Sequence, residues 1–456
     1  MPWSWKETRP GRWERPQSSL EKIALVNRNV DKAMDRDNWA KTAVAKLEFQ
    51  PSFGDPEAAL RIAWKQVRYN YPEIAAFPYQ GIYMYRIGNP DQVSLWVSAT
   101  FSVVENTSPE DLLGRIPRNE QMMLYWLPDS SEVLIRSPHY RLDARGAIFC
   151  LDQLIQCLAN LDPVLEFGGC AKNLSASIDE ALSIPYEYSS KIEKAALKRM
   201  DALEPHNPPL DLTPTIIKTA PGATRRRYIK FSRAETRAII SGCAKSKMEL
   251  TPALHAALIN SCAKIVRPTD KRSFMASYHC DLREHIKKPV STKKAPTVCT
   301  SVIHTDVKVS PKTSFKTYYK DLAPVYKDGY KPYIDSTACF HEKLTAKMYS
   351  SGRGNAEIDG QPQPRFGPLG VIDDQLTKDV HRGEVRVLDF WLGAEVLTKR
   401  PMVHNWIWED QMVFSCCFNE SYWQPAYIAS FLQGIKDTLM EEVALTSMLA
   451  DTSLSR

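Results

Sequence analysis

The stretch that most limits what this chain can fold into is Ser137-Pro138-His139-Tyr140-Arg141-Leu142-Asp143-Ala144-Arg145-Gly146. The apolar run before it, Val133-Leu134-Ile135, reads as a strand. The residues after it place Ile148, Leu151, Leu154, Ile155 and Leu158 on one helical face. His139 is expected on the loop between strand and helix, with Asp143 at the helix start, where free N–H groups and the helix dipole favour a carboxylate. A histidine held in this way can take a proton from a hydroxyl or amine near neutral pH. HxxxD by itself is weak evidence, since about half of chains with this many histidines contain one by chance. The plain alternative is a loop histidine bonded to a backbone carbonyl. Of the nine histidines, only His139 has an aspartate four residues on.

A chain of 456 residues has room for two domains or one very large one. Its 59 basic and 53 acidic residues leave a net charge of +6. That excess is too small and dispersed to argue for nucleic acid, although it tolerates a polyanionic small molecule. The ten cysteines form no CxxC pair and no zinc spacing, so they read as free thiols in a reducing compartment. The first sixteen residues scatter Trp3, Trp5 and Trp13 among charges and prolines and have no signal-peptide core. No apolar run is long enough to span a membrane.

Along the chain, the first sixteen residues read as an extended surface arm. A helix is expected over Asp55 to Tyr69, and a strand over Leu95 to Val104. The proline-rich segment 204–222 reads as a linker crossing between an N-terminal lobe, 1–203, and a C-terminal lobe, 223–456. Ser232-Arg233-Ala234-Glu235 is a capping box, and Thr251-Pro252 should cap a further helix. Strands are expected at Phe274 to Cys280, Val385 to Phe390 and Gln411 to Phe418. The last helix carries Ile428, Phe431, Leu432, Ile435, Leu439 and Val443. Residues 287–296 form a basic loop, read as a solvated surface or a contact for phosphates. Residues 350–364 are polar and glycine-rich, and are expected to form a mobile loop.

These motifs, in this order, resemble the coenzyme A-dependent acyltransferase superfamily, which includes chloramphenicol acetyltransferase, the plant BAHD enzymes and peptide-synthetase condensation domains. His139 and Asp143 stand at the family's HxxxD. Asp389-Phe390-Trp391-Leu392-Gly393 stands where plant relatives carry DFGWG, and Asp281-Leu282-Arg283 where relatives place an arginine that pairs with the aspartate of that second motif. The segments Leu369 to Asp373 and Phe418 to Trp423 are similar to the fungal trichothecene 15-O-acetyltransferase family. Two departures stand out: Ala144 follows Asp143 where a glycine is usual, with glycine returning at Gly146, and DFGWG has become DFWLG.

The resemblance implies an α/β (α+β) fold of two similar lobes, each a mixed sheet flanked by helices, with an active-site tunnel between them. It implies an acyl-CoA-dependent O-acyltransferase, with acetyl-CoA or another acyl-CoA as co-substrate and no permanently bound cofactor or metal. The acceptor would be a hydroxyl of a fungal-type secondary metabolite such as a terpenoid or polyketide. The alternative is a condensation-like enzyme that takes its acyl group from a carrier protein or closes a ring within one substrate. His139 would be the general base, with Asp143 beside it, chiefly to hold it in place. Arg283 and Asp389 would form an ion pair bracing the tunnel wall, supported by Gly393. A monomer in the cytoplasm is expected, with no nucleic-acid or membrane partner.

Overall fold

The computed structural model describes residues 3–28, 35–218, 220–287, 295–350, 361–380 and 383–445. Sixteen strands are assigned among them. In chain order these are β1 (Lys6–Arg9), β2 (Arg12–Pro16), β3 (Lys41–Phe49), β4 (Phe77–Tyr79), β5 (Ile82–Arg86), β6 (Phe101–Val103), β7 (Met123–Leu127) and β8 (Glu132–Ser137). They continue with β9 (Thr224–Lys230), β10 (Arg272–Asp281), β11 (Thr300–Val309), β12 (Arg365–Val371), β13 (Asp379–Val380), β14 (Val385–Ala394), β15 (Met402–Trp408) and β16 (Gln411–Asn419).

Two mixed sheets carry the two halves. The first has six strands in the order β13-β14-β3-β8-β7-β6, and the second has four in the order β12-β15-β16-β9. Each contains one parallel pair, β6 with β7 and β12 with β15, among antiparallel neighbours. The Pro56–Asn70 and Ala144–Ala159 helices pack together beside the first sheet, and the Leu250–Val266 and Pro425–Leu439 helices pack beside the second. Each set closes its own large apolar core. The antiparallel pair β10–β11 stands apart, with Arg272 opposite Val309 and Asp281 opposite Thr300.

The halves are not independent. β13 and β14 leave the C-terminal half and complete the N-terminal sheet, with Val385 opposite Phe49 and Ala394 opposite Lys41. Segment 204–222 is also well anchored. Leu210 and Leu212 are fully buried in the second core, and the Leu210 N–H donates to the Ser273 carbonyl at 2.8 Å.

Several elements differ from expectation. The N-terminal arm folds into the β1–β2 hairpin, which β5 and β4 extend to a four-stranded sheet. The strand expected from Leu95 is instead a helix, Pro90–Thr100, with only Phe101–Val103 extended. Its start explains this. Asn89 accepts from the Gln92 N–H at 2.9 Å, Gln92 returns the bond at 3.1 Å, and Pro90 occupies the first turn. That reciprocal cap outweighs the strand preference of the β-branched and aromatic residues behind it. The Leu250–Val266 helix begins before Thr251-Pro252, with Glu249 at its N-cap and no side-chain cap. The capping box at Ser232 and Glu235 forms as expected. Most of the basic loop 287–296 and of the glycine-rich stretch 350–364 lies outside the described residues. Among the described residues, no helix is long and apolar enough to cross a membrane.

Candidate active site

β8 ends at Ser137, and His139 follows two residues later on the turn that leads into the Ala144–Ala159 helix. The turn is held from several sides. The Tyr140 hydroxyl donates to the Glu120 side chain at 2.9 Å, and Arg141 Nε donates to the Glu120 carbonyl at 2.6 Å. Arg141 also reaches the Ala76 carbonyl.

His139 Nδ1 stands 3.1 Å from the Leu142 carbonyl. A carbonyl can only accept, so Nδ1 carries the proton and Nε2 keeps its lone pair. The bond to a backbone carbonyl that a mere loop histidine would make is therefore present, and it is also what fixes the tautomer a general base needs. Burial lowers the ring's pKa to about 3, the Lys41 charge adds to the effect, and the Leu142 carbonyl and Asp143 oppose it. The imidazole is thus neutral throughout the neutral range, with the Nε2 lone pair unprotonated.

Asp143 is the N-cap of that helix and accepts from the Gly146 N–H at 2.7 Å. Arg283 grips it with two bonds, Nη1 to Oδ2 at 3.0 Å and Nη2 to Oδ1 at 3.1 Å. The Cys299 N–H and the Thr300 hydroxyl each add a bond at 2.8 Å. Burial alone would raise this carboxyl's pKa, but Arg283 and the N–H donors bring it down to about 2. Asp143 is thus a fully committed carboxylate that joins the helix start to the C-terminal half. Gly146 serves the same joint. A Cβ there would lie 3.0 Å from the Thr297 carbonyl and 3.2 Å from Asp143 Oδ1.

The second motif lies elsewhere. Arg283 pairs with Asp143 and with Asp281 at 3.1 Å, not with Asp389. The Asp389 side chain is 58% exposed, and its ion partner is Lys230 at 3.8 Å. The reason is a bulge in β14: Val387 sits opposite Leu47 and Asp389 opposite Lys46, leaving Leu388 as an extra residue. The bulge turns both Leu388 and Asp389 outward, while Phe390 and Trp391 enter the first core. Gly393 lies opposite Thr42, where a Cβ would come within 3.1 Å of the Trp391 ring. Of the expected site residues, His139, Asp143 and Arg283 come together, while Asp389 and Gly393 stand apart.

A cavity of about 840 Å³ lies against His139 and Asp143. Residues from both halves line it, including Lys41 on β3, His279 on β10, and Arg365 and His404 on β12 and β15. Among the described residues, six histidines line it: His139, His279, His285, His304, His341 and His404. His279 repeats the arrangement at His139, with Nδ1 donating to the Phe366 carbonyl at 2.8 Å. Among the described residues, no three His, Cys, Asp or Glu side chains converge as a metal site. Sequence reasoning misses Lys41, His279 and His404, because each stands alone on its own strand and only the fold gathers them. The ten cysteines are all free and buried.

This arrangement offers a sheltered cavity between two halves, an oriented neutral imidazole at its wall, and a charge-paired joint behind that imidazole. The chain is 24% identical to the O-acetyltransferase pigM of Monascus ruber, over 97% of this chain and 88% of that protein. It is 25% identical to the acetyltransferase pigO of the same organism, over 98% of this chain and 99% of that protein. No family model matches. Among solved structures, the trichothecene 15-O-acetyltransferase TRI3 of Fusarium sporotrichioides superposes with a TM-score of 0.81 at 14% identity, covering 96% of this chain and 98% of that one. The condensation domain of the monacolin K polyketide synthase MokA superposes with a TM-score of 0.62 at 12% identity, covering 95% and 97%. The chain therefore shares its fold with the trichothecene acetyltransferase and with condensation domains, and is similar along nearly its whole length to fungal acetyltransferases.

Proposed function

We propose that this protein transfers an acetyl group from acetyl-coenzyme A to a hydroxyl of a fungal secondary metabolite, with His139 as the general base. The observation that carries this reading is the His139 ring itself, with its Nδ1 proton held by the Leu142 carbonyl at 3.1 Å and its side chain at the wall of the cavity. Similarity to two acetyltransferases over nearly the whole chain supports the reaction class. The acceptor class rests on the resemblance to fungal enzymes of the same fold.

In this mechanism the acceptor hydroxyl gives its proton to His139 Nε2 as its oxygen attacks the thioester carbonyl. The tetrahedral intermediate collapses, the C–S bond breaks, and the departing thiolate takes the proton back from the imidazolium. Asp143 exchanges no proton; together with Arg283 it holds the loop that aims the ring. Lys327 and Lys331, exposed residues that line the cavity, are suited to the phosphates of the donor.

The test is acetyl transfer from acetyl-coenzyme A to a panel of hydroxylated polyketides and terpenoids. His139→Ala should lower kcat by about 10²–10⁴. Because the ring is already neutral, wild-type kcat/KM should stay level as pH falls through 6.5, the ordinary histidine value. Full activity in His139→Ala would refute the assignment. If only an acyl-loaded carrier protein serves as donor, or a single substrate cyclises without one, the enzyme is condensation-like instead.

A further inference from the structure

Lys41 opens β3, the strand at the middle of the six-stranded sheet, with Ser137 and Ala394 as its ladder partners. Its side chain is buried, with the residue only 6% exposed, and it lines the same cavity as His139. An ammonium taken out of water to this degree needs compensation, and a carboxylate usually supplies it. Among the described residues, Lys41 has no side-chain ion pair or hydrogen bond. Asp143 attracts it, but both Asp143 oxygens are already occupied by Arg283, Gly146, Cys299 and Thr300. Arg365 and Arg136 act against its charge, Cys417 acts with it, and the nearby imidazoles of His139, His279 and His404 are neutral.

A second observation lies on the same wall. His404 is 1% exposed, and neither of its ring nitrogens has a partner. Gly367, its register neighbour on β12, makes room for the ring, since a Cβ there would come within 3.1 Å of His404 Cδ2. The Lys41 charge bears on both His139 and His404. The cavity thus holds an uncompensated cation next to the base, with an unused polar ring beside it. A negative charge that develops only during reaction would complete the set.

We propose that Lys41 is a catalytic residue that stabilises the tetrahedral oxyanion of acyl transfer. This rests on the acyl-transfer reading given above. As the acceptor oxygen bonds to the thioester carbon, the carbonyl electron pair moves onto oxygen, which accepts an N–H from the Lys41 ammonium. When the C–S bond breaks, that pair re-forms the carbonyl, and the sulfur takes the proton held on His139 Nε2. Lys41 ends the cycle with the protons it began with. Burial brings its pKa to about 8, with Asp143 pulling the other way, so the cationic form prevails at neutral pH.

The test uses hydrolysis of acetyl-coenzyme A, read as thiol release, in which water replaces the acceptor and the same oxyanion forms. Lys41→Met should lower kcat by about 10²–10³ while the KM for acetyl-coenzyme A stays within about threefold. Lys41→Arg should recover part of the loss and move the alkaline limb upward from near pH 8, because its guanidinium keeps its proton. Lys41→Met should also melt at or above the wild-type temperature, because the substitution removes an unpaired buried charge. A kcat within about threefold of wild type in Lys41→Met would overturn the proposal. So would a lower melting temperature in Lys41→Met with no recovery of turnover in Lys41→Arg, which would mark a structural role. Loss of turnover in His139→Ala but not in Lys41→Met would refute Lys41 alone. A wild type that releases no thiol, or a fully active His139→Ala, would bring down the reading of acetyl transfer from acetyl-coenzyme A with His139 as base, and this proposal with it.

Discussion

At the scale of single residues, the two aspartates that the motifs single out have opposite fates. Asp143 is buried and meets four donor residues, whereas Asp389 faces solvent beside one lysine. Removing one partner of a buried ion pair strands the other, at a cost of about 3–5 kcal/mol. Asp143→Ala should therefore lose about that much stability in chemical denaturation and should lose turnover as the His139 loop loosens. Asp389→Ala should stay within about 0.5 kcal/mol of wild type and keep its activity. Similar losses in both variants would contradict this division. HxxxD was legible in the sequence because both its residues belong to one turn. The outward turn of Asp389 away from Arg283 was not, because it depends on a one-residue bulge in β14 that no spacing in the sequence reveals.

At the scale of elements, local chemistry decided what could be read. The Ser232–Glu235 cap and the Asp55–Pro56 helix start were legible because each is complete within four residues. Asn89-Pro90-Asp91-Gln92 carries the same kind of signal, but apolar β-branched and aromatic residues behind it mimic a strand. If the cap is what tips that segment into a helix, Asn89→Ala should cost about 1 kcal/mol in equilibrium unfolding. No measurable loss would mean that packing against the Pro56–Asn70 helix alone holds it. β3 is the least legible element of all. Lys41, Ala43, Ala45 and Leu47 share one face, and Thr42 and Val44 on the other are also buried, so the strand shows no alternation to read.

At the scale of the whole molecule, the cavity between the halves depends on chain crossings that sequence patterns do not encode. β14 completes the N-terminal sheet, Arg283 reaches back to Asp143, and β12 and β15 bring Arg365 and His404 to the cavity that His139 lines. This assembly has a pH signature. Burial lowers the pKa of His139, His255 and His304 to about 3 and of His279 to about 4, and holds His341 and His404 well below the ordinary value. Unfolding restores the ordinary value near 6.5, so between about pH 4 and 6.5 the unfolded chain binds more protons. Their contribution to stability is complete above pH 6.5 and is lost as pH falls through that window. Glu73, raised to about 7, and Asp179, raised to about 6, act in the opposite sense, as do Glu132, Asp211, Asp321 and Glu395, but the rings held at about 3 span a wider pH range than Glu73 or Asp179. Melting temperature should therefore drop steadily from pH 6.5 to 4, with net proton uptake on unfolding. A flat profile would contradict the enclosure of these rings.

Calorimetric titration of coenzyme A and acetyl-coenzyme A into the wild type and His139→Ala separates donor binding from proton transfer most directly. Micromolar binding by both proteins is expected, with turnover lost only in the variant, because His139 moves a proton and does not hold the donor. Absence of binding to the wild type would contradict an acyl-coenzyme A donor, and loss of binding in His139→Ala alone would contradict the role assigned to the histidine.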